Sequence, residues 1–65
     1  MNLKDYVGHM VRFKQDIKRY DWYGYTTVIA KGEELYVEST FQGKFMVSDR
    51  TRRLVVPAQT VEFVI

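Results

Sequence analysis

The chain has 65 residues, with ten lysines and arginines against eight aspartates and glutamates, one histidine and no cysteine. A chain of this length forms one domain that buries only about 60% of the surface exposed by its unfolded form, so its core is thin. Without cysteine, and with a single histidine, it can form neither a disulfide nor a four-ligand zinc site, and no metal or cofactor is expected. A formal net charge of +2 is too small to indicate nucleic acid binding by itself.

The first ten residues, MNLKDYVGHM, carry charges where a signal peptide would need an apolar run, and no segment has the length of a membrane span. We therefore expect a cytoplasmic protein. Apolar residues recur at helical spacing behind Asn2, a possible N-cap, and before Gly8: Leu3, Tyr6, Val7 and Met10. This spacing predicts one helical turn at most, docked on an open end of the fold.

Short runs in which apolar and polar residues alternate dominate the rest of the chain, and this period of two predicts strands with one buried face. Other runs are rich in β-branched and aromatic residues, which also favour strands. The strands predicted in this way cover residues 9–14, 25–30, 35–40, 44–49, 54–56 and 61–64. Turn-forming residues separate them at 31–33, 42–43 and 49–52, and Pro57 closes a strand. Five or six short strands with tight turns imply a small all-β barrel or sandwich.

Two segments resemble parts of SH3 domains. Residues 31–37, KGEELYV, are similar to the diverging turn and second strand, and residues 55–63, VVPAQTVEF, to the closing 3₁₀ turn and last strand. The resemblance covers residues 10–65 and implies one SH3-like antiparallel barrel of five to six strands, preceded by an extension of residues 1–9. It places residues 11–15 in the first strand and makes residues 15–26 a long RT-type loop.

SH3 domains bind proline-rich peptides through a ladder of aromatic side chains, and this chain lacks most of that ladder. Phe13 and Pro57 match it. Gln15 and Thr60 stand where tyrosines are expected, and Lys44 stands where the ligand-stacking tryptophan belongs. Since a polyproline helix needs those rings to pack against, recognition of PxxP motifs is not expected.

A second resemblance concerns plasmid-borne type II dihydrofolate reductases, which are SH3-like barrels active as tetramers. Residues 8–12, 36–39 and 56–58 are similar to segments of that family. The family relies on a Val-Gln-Ile-Tyr run before the proline, whereas residues 53–56 of this chain read RLVV. The resemblance therefore does not imply the reductase activity, but it does suggest that such a barrel can self-associate.

The sequence does not indicate catalytic chemistry, and we expect a protein that is not an enzyme. His9 has no identifiable orienting carboxylate, and Ser39 and Ser48 have no histidine nearby in sequence, so a nucleophilic triad is unsupported. Glu33 and Glu34 are adjacent, and neighbouring side chains of a strand point to opposite faces. The four glycines are scattered and form no phosphate-binding loop.

Residues 18–25, KRYDWYGY, concentrate four aromatic rings and two adjacent cations. One interpretation is a protein-binding surface, because Trp, Tyr and Arg dominate interface hot spots. Its contact residues would be Arg19, Tyr20, Trp22, Tyr23, Tyr25, Phe13 and Lys44. The other is a surface for single-stranded nucleic acid, on which the rings stack on bases and cations contact phosphates. Its phosphate contacts would be Arg12, Lys14, Lys18, Arg50, Arg52 and Arg53. Both need exposed rings, and the alternative is that two or three rings, Trp22 above all, cover the thin core.

The SH3-like layout bears on this choice, because it implies that the RT-type loop and the turn at residues 49–53 lie at opposite ends of the barrel. The two basic clusters would then be separate, and Asp16 and Asp21 would dilute the charge further. We therefore favour a non-catalytic protein-interaction module, such as a small bacterial or phage regulator, inhibitor or adaptor. The alternatives are a binder of single-stranded nucleic acid and a structural subunit of an oligomer. Met46 and Phe41 are expected to point outward, and together they would support a homodimer.

Overall fold

A computed structural model describes residues 3–64, apart from the side chain of Asp21, and these residues form seven strands and two 3₁₀ helices. The bounds are η1 Leu3–Tyr6, β1 Met10–Phe13, β2 Ile17–Asp21, β3 Gly24–Ile29, β4 Glu34–Phe41, β5 Lys44–Ser48, β6 Arg53–Pro57, η2 Ala58–Thr60 and β7 Val61–Phe63. The predicted all-β class is confirmed, with one strand more than expected. The possible N-cap Asn2 lies outside the described residues.

The strands form two antiparallel sheets. Five strands pair in the order β6-β5-β4-β1-β7, while β2 and β3 form a separate two-stranded hairpin. The turn between β4 and β5 consists of Gln42 and Gly43, whose φ angles of 48° and 78° are both in the left-handed region. Two successive positive φ angles are the signature of the tight turn that matches the twist of a hairpin, which explains glycine at the second position.

The core is built from the alternating apolar positions of the five-stranded sheet, with one residue from β3. In β1, in β5 and in the first half of β4, every second side chain is buried, as the period of two predicts. The buried apolar residues are Val11, Phe13, Ile29, Leu35, Val37, Phe45, Val47, Val56 and Val61. The hydroxyl of Thr60, which is also buried, donates a hydrogen bond of 2.7 Å to the carbonyl of Pro57. The one buried polar side chain of the described residues is thus satisfied.

The N-terminal helical turn is confirmed as the 3₁₀ helix η1, which packs Leu3 and Tyr6 against the core. The ring of Tyr6 stacks on Phe63 with centroids 3.9 Å apart and lies 4.9 Å from the ring of Phe45. Gly8 follows with a φ of 87°, which a residue with a side chain rarely adopts. The turn therefore covers one end of the sheet and reverses the chain into β1.

Residues 15–26 are a β-hairpin and not the long loop that the SH3 resemblance implied. They hold all of β2 and the first part of β3. The pairing runs from Ile17 and Ile29 to Asp21 and Gly24, with a shift of register between Ile17 and Lys18. Ile17, Tyr20 and Tyr25 are β-branched or aromatic and favour extended backbone. The signal was missed because the exposed side chains of β2 show no alternation between apolar and polar residues.

The turn at residues 49–52 does not lie away from this hairpin, because Arg52 ties it to the base of β3. Its guanidinium donates hydrogen bonds to the Val28 carbonyl (Nη1, 2.7 Å), to Glu33 Oε1 (Nη2, 2.8 Å) and to Asp49 Oδ2 (Nε, 2.8 Å). Asp49 Oδ1 in turn accepts the backbone N–H groups of Thr51 and Arg52. The expected separation of the two basic clusters is therefore wrong.

We expect Arg52→Ala to lower the melting temperature by roughly 5 to 10 °C at pH 7, because it removes charge-assisted hydrogen bonds that join two turns and a strand. The hydrogen bond from Arg52 lowers the pKa of Asp49 from 3.8 to about 2 and also lowers that of Glu33 from 4.5. A lowered pKa stabilises the fold above the ordinary pKa, and this stabilisation is lost as the pH falls through the folded value. The wild-type melting temperature should therefore fall between about pH 4.5 and 2.

Circular dichroism melts from pH 7 to pH 2 measure this effect. The matched control is Arg50→Ala, which removes an exposed arginine from the same turn and should leave both the melting temperature and its acid dependence unchanged. Arg52→Ala should flatten the acid dependence, since both carboxylates lose their main partner. If the acid dependence in Arg52→Ala equals that of wild type, these two carboxylates do not control it.

Candidate functional site

The aromatic hairpin, defined as β2, β3 and the turn between them, carries the four clustered rings. Its turn consists of Trp22 and Tyr23 alone, because Asp21 pairs directly with Gly24. Gly24 has a φ of 108°, a backbone angle that only glycine adopts at little energetic cost, so the sharp turn depends on this glycine. Tyr20 and Tyr25 face each other across the strands with ring centroids 5.1 Å apart. The pairing thus fixes two rings on the strands and two at the tip.

All four rings are exposed. The exposed fraction is 98% for Trp22 and 97% for Tyr23, against 73% for Tyr20 and 74% for Tyr25. None of them packs on the core cluster, whereas Tyr6 does. The interpretation in which two or three rings, Trp22 above all, cover the thin core is therefore wrong. Both binding interpretations require exposed rings, and that requirement is met.

The rings contribute little to folding, which makes their concentration at one place significant. Exposed Trp and Tyr side chains gain almost no burial energy, while they carry the largest apolar surfaces of any residue type. Single exposed apolar residues are ordinary, but contiguous patches mark interaction surfaces. Arg19 precedes Tyr20 on β2 and makes no ion pair with the described side chains. The hairpin thus presents the three residue types found most often in hot spots.

Two residues of the predicted protein-binding set do not belong to this surface. Phe13 is only 1% exposed and lies in the core, because it alternates with Arg12 in β1 and points to the buried side. Its assignment as a contact residue is wrong. Lys44 is exposed, but it opens β5 in the five-stranded sheet, where it pairs with Phe41 and Pro57. It belongs to the other sheet and not to the hairpin.

Three of the six predicted phosphate contacts are already paired with carboxylates. Arg12 contacts Glu34 at 3.2 Å and Arg53 contacts Glu38 at 3.1 Å, in addition to the Arg52 cluster described above. Such pairs lower the positive potential that a phosphate would meet. The remaining three are exposed and make no ion pair with a described side chain: Lys14, Lys18 and Arg50.

A groove of about 720 Å³ lies between the base of the aromatic hairpin and β6, and sequence analysis missed it. Lys18 and Arg19 of β2 line it together with Arg52 and Arg53, so the two basic clusters share one groove. The groove is lined by Ile17, Lys18, Arg19, Val28, Thr51, Arg52, Arg53, Leu54 and Val55. Pro57 was the sequence signal that could have indicated this groove. A proline within a sheet favours an edge strand, and the edge strand β6, which contains Pro57, forms one wall of the groove.

The outer face of β4, β5 and β6 carries a small apolar patch. Phe41 is 62% exposed and Met46 is half-buried, and both point away from the core, as predicted. Met46 pairs with Ser39 on one side and with Val55 on the other, which places Phe41 at the diagonal position. Self-association through this patch stays a prediction.

His9 and the acidic residues give no metal site in the part of the chain that the structure describes, because no three such groups lie together there. The exposed His9 ring, next to the start of β1, instead forms an edge-to-face contact with the ring of Phe63, with ring centroids 5.7 Å apart. Residues 3–64 also contain no helix of the length and hydrophobicity that a membrane span requires.

Comparisons with protein-family models, with curated proteins and with solved structures find no match to this chain. The SH3 resemblance therefore rests on its two sequence segments and stays a prediction.

Proposed function

We propose that this chain is a non-catalytic protein-interaction module, a small cytoplasmic regulator, inhibitor or adaptor that binds a larger protein through its aromatic hairpin. The observation that carries the proposal is the exposure of Trp22 and Tyr23, 98% and 97%, at the two tip positions of a tight turn. Turn positions of this kind are usually taken by small or polar residues such as Gly, Asn, Asp and Ser. A tryptophan and a tyrosine there are best explained by a partner that buries them.

The size of the exposed aromatic surface suits a protein partner. A buried Tyr or Trp removes about 150 to 250 Å² from water, so four rings account for roughly 600 to 1,000 Å². One side of a standard protein interface buries about 800 Å². The hairpin could therefore supply most of one side of such an interface.

The hairpin also presents these rings in a restrained geometry. Tyr20 and Tyr25 are held by cross-strand pairing, and Gly24 fixes the turn that carries the other two rings. Ordering them on binding costs less entropy than ordering a loose loop, which favours affinity. The molecule is elongated, with extents of 38, 23 and 21 Å, and the exposed hairpin tip suits insertion into a cleft of a larger protein.

The two carboxylates with lowered pKa support a structural role. Glu33 and Asp49 both owe the shift first to hydrogen bonds from Arg52, and they remain charged at neutral pH. An acid or base for catalysis is instead held with a pKa near the working pH. These ion pairs hold turns together, which suits a module that binds without catalysis.

Binding of single-stranded nucleic acid is the second candidate, because Lys18, Tyr20 and Tyr25 share one face of the hairpin by the period of two. Stacked rings beside a cation are the arrangement that such binders use. The neutralisation of three predicted phosphate contacts favours a protein partner over this alternative.

A pull-down from host lysate with the tagged protein, with and without nuclease, separates the two candidates. We expect a stoichiometric protein band that survives nuclease and disappears with Trp22→Ala, because the exposed indole is available to a partner. The matched control is Tyr36→Ala, which truncates an exposed aromatic residue of β4, 44% exposed and off the hairpin, and should retain the band. Capture of nucleic acid, or of proteins only through nucleic acid, would instead favour the second candidate.

A further inference from the structure

The groove at the base of the aromatic hairpin lies between two strand edges that have no neighbour. Among the described residues, β6 pairs only with β5, and β2 pairs only with β3. An edge strand carries backbone N–H and C=O groups without a sheet partner, and another chain can pair with them. The β6 wall of this groove therefore offers main-chain hydrogen bonds.

The register shows which backbone groups of β6 point outward. The Asp49 N–H donates to the Arg52 carbonyl, and the Ala58 N–H donates to the Gly43 carbonyl. In an antiparallel pair every second residue forms such hydrogen bonds with its partner, so Leu54 and Val56, between Arg52 and Ala58, also bond to β5. Arg53, Val55 and Pro57 fall on the other positions, whose N–H and C=O groups point away from β5. Pro57 has no N–H to offer and is tolerated on that side only.

The side chains of the groove combine apolar and cationic groups, and none of the nine residues that line it is acidic. Leu54 and Val28 are half-buried and form an apolar lining, together with Ile17. Arg52 and Arg53 are paired with carboxylates. Lys18 and Arg19 make no ion pair with the described side chains, so none of the described carboxylates neutralises them.

We propose that this groove binds an extended, acidic segment of a partner protein by strand addition to β6. The backbone of the segment pairs with Arg53 and Val55, its apolar side chains pack on Leu54, and its carboxylates meet Lys18 and Arg19. The inference goes beyond the aromatic hairpin tip, because it concerns a second surface with its own ligand chemistry. A volume of about 720 Å³ lies within the usual range of ligand sites.

The backbone chemistry favours a peptide over a nucleic acid. The outward carbonyls of Arg53 and Val55 need N–H donors, and a phosphodiester backbone offers only acceptors. A peptide strand supplies donors and acceptors in the alternation that the edge requires. Carboxylates spaced along the same strand complement the charges of Lys18 and Arg19.

The probe is a short acetylated peptide of alternating valine and glutamate, added to the isotopically labelled full chain and followed by NMR. We expect saturable shifts on β6 and on residues 17–19, with exchange of the Arg53 and Val55 amide hydrogens slowed at least about tenfold. Lys18→Glu and Arg19→Glu should each weaken binding by about tenfold or more, because they place like charges opposite the peptide. Lys31→Glu, the same charge change outside the groove, should bind as wild type does.

Peptide variants test the two parts of the proposal. N-methylation at alternate residues blocks main-chain pairing and should abolish binding, and exchange of glutamate for lysine should do the same through charge. Undiminished binding of either variant, or the absence of shifts with the parent peptide, overturns the proposal. So does stronger binding of oligothymidylate in the groove, or protection of β6 that grows with protein concentration alone, which would identify a second copy. Trp22→Ala should bind the peptide normally, so failure of the groove is distinct from failure of the hairpin.

Discussion

Phe13→Ala is expected to be strongly destabilising. Phe13 is 1% exposed within the main core, and truncating a buried phenylalanine to alanine costs about 3 to 5 kcal/mol. A chain of 65 residues has a free energy of unfolding of roughly 3 to 10 kcal/mol. One substitution therefore removes a third or more of the stability. Urea unfolding followed by circular dichroism measures the loss.

Phe41→Ala is the matched control, because it makes the same chemical change at a side chain that is 62% exposed. Its cost should stay near or below about 1 kcal/mol, as for surface substitutions in general. If Phe13→Ala costs no more than Phe41→Ala, Phe13 is not part of the core. Its assignment to a partner surface would then be valid again.

The alternating strands could be predicted because their periodicity reflects burial. Leu35 and Val37, like Phe45 and Val47, recur every second residue, and all four are fully buried or nearly so. A strand with one buried face has apolar residues at every second position of its sequence. The tight turn at Gln42 and Gly43 was predicted for a similar reason, since its positive φ angles select residue types.

β2 could not be predicted in this way, because its described side chains after Ile17 are not buried. Lys18, Arg19 and Tyr20 are all exposed, so no alternation marks the strand. Pairing with β3 is what holds it extended, and pairing is a property of two segments together. The contacts of Arg52 are also distant in sequence, 19 residues to Glu33 and 24 to Val28.

The exposure of the aromatic rings was the least predictable feature of the site. Tyr6 and Tyr20 are the same residue type, yet Tyr6 packs on the core and Tyr20 is 73% exposed. Aromatic residues in a small protein are as often core as surface, and composition does not separate the two. The distinction depends on where the hairpin stands relative to the five-stranded sheet, which local sequence does not specify.

Trp22→Ala combined with Tyr23→Ala is expected to abolish binding to the protein partner while leaving the fold intact. Each hot-spot residue contributes about 2 kcal/mol or more when truncated, which corresponds to roughly 30-fold in affinity, so the pair should weaken binding by about a thousandfold. Neither ring is buried, so the free energy of unfolding should change by less than about 1 kcal/mol. Calorimetric titration with the purified partner, alongside urea unfolding, measures both quantities.

Two further variants decide whether the effect belongs to the rings at the tip. Trp22→Phe keeps an aromatic surface and should retain part of the affinity. Gly24→Ala keeps all four rings but strains the turn, because Gly24 has a φ of 108°, and it should also weaken binding. Loss in both the double variant and Gly24→Ala means that the partner recognises rings held by this turn. If the double variant binds as wild type does, the aromatic hairpin is not the site, and if it unfolds, the rings support the fold after all.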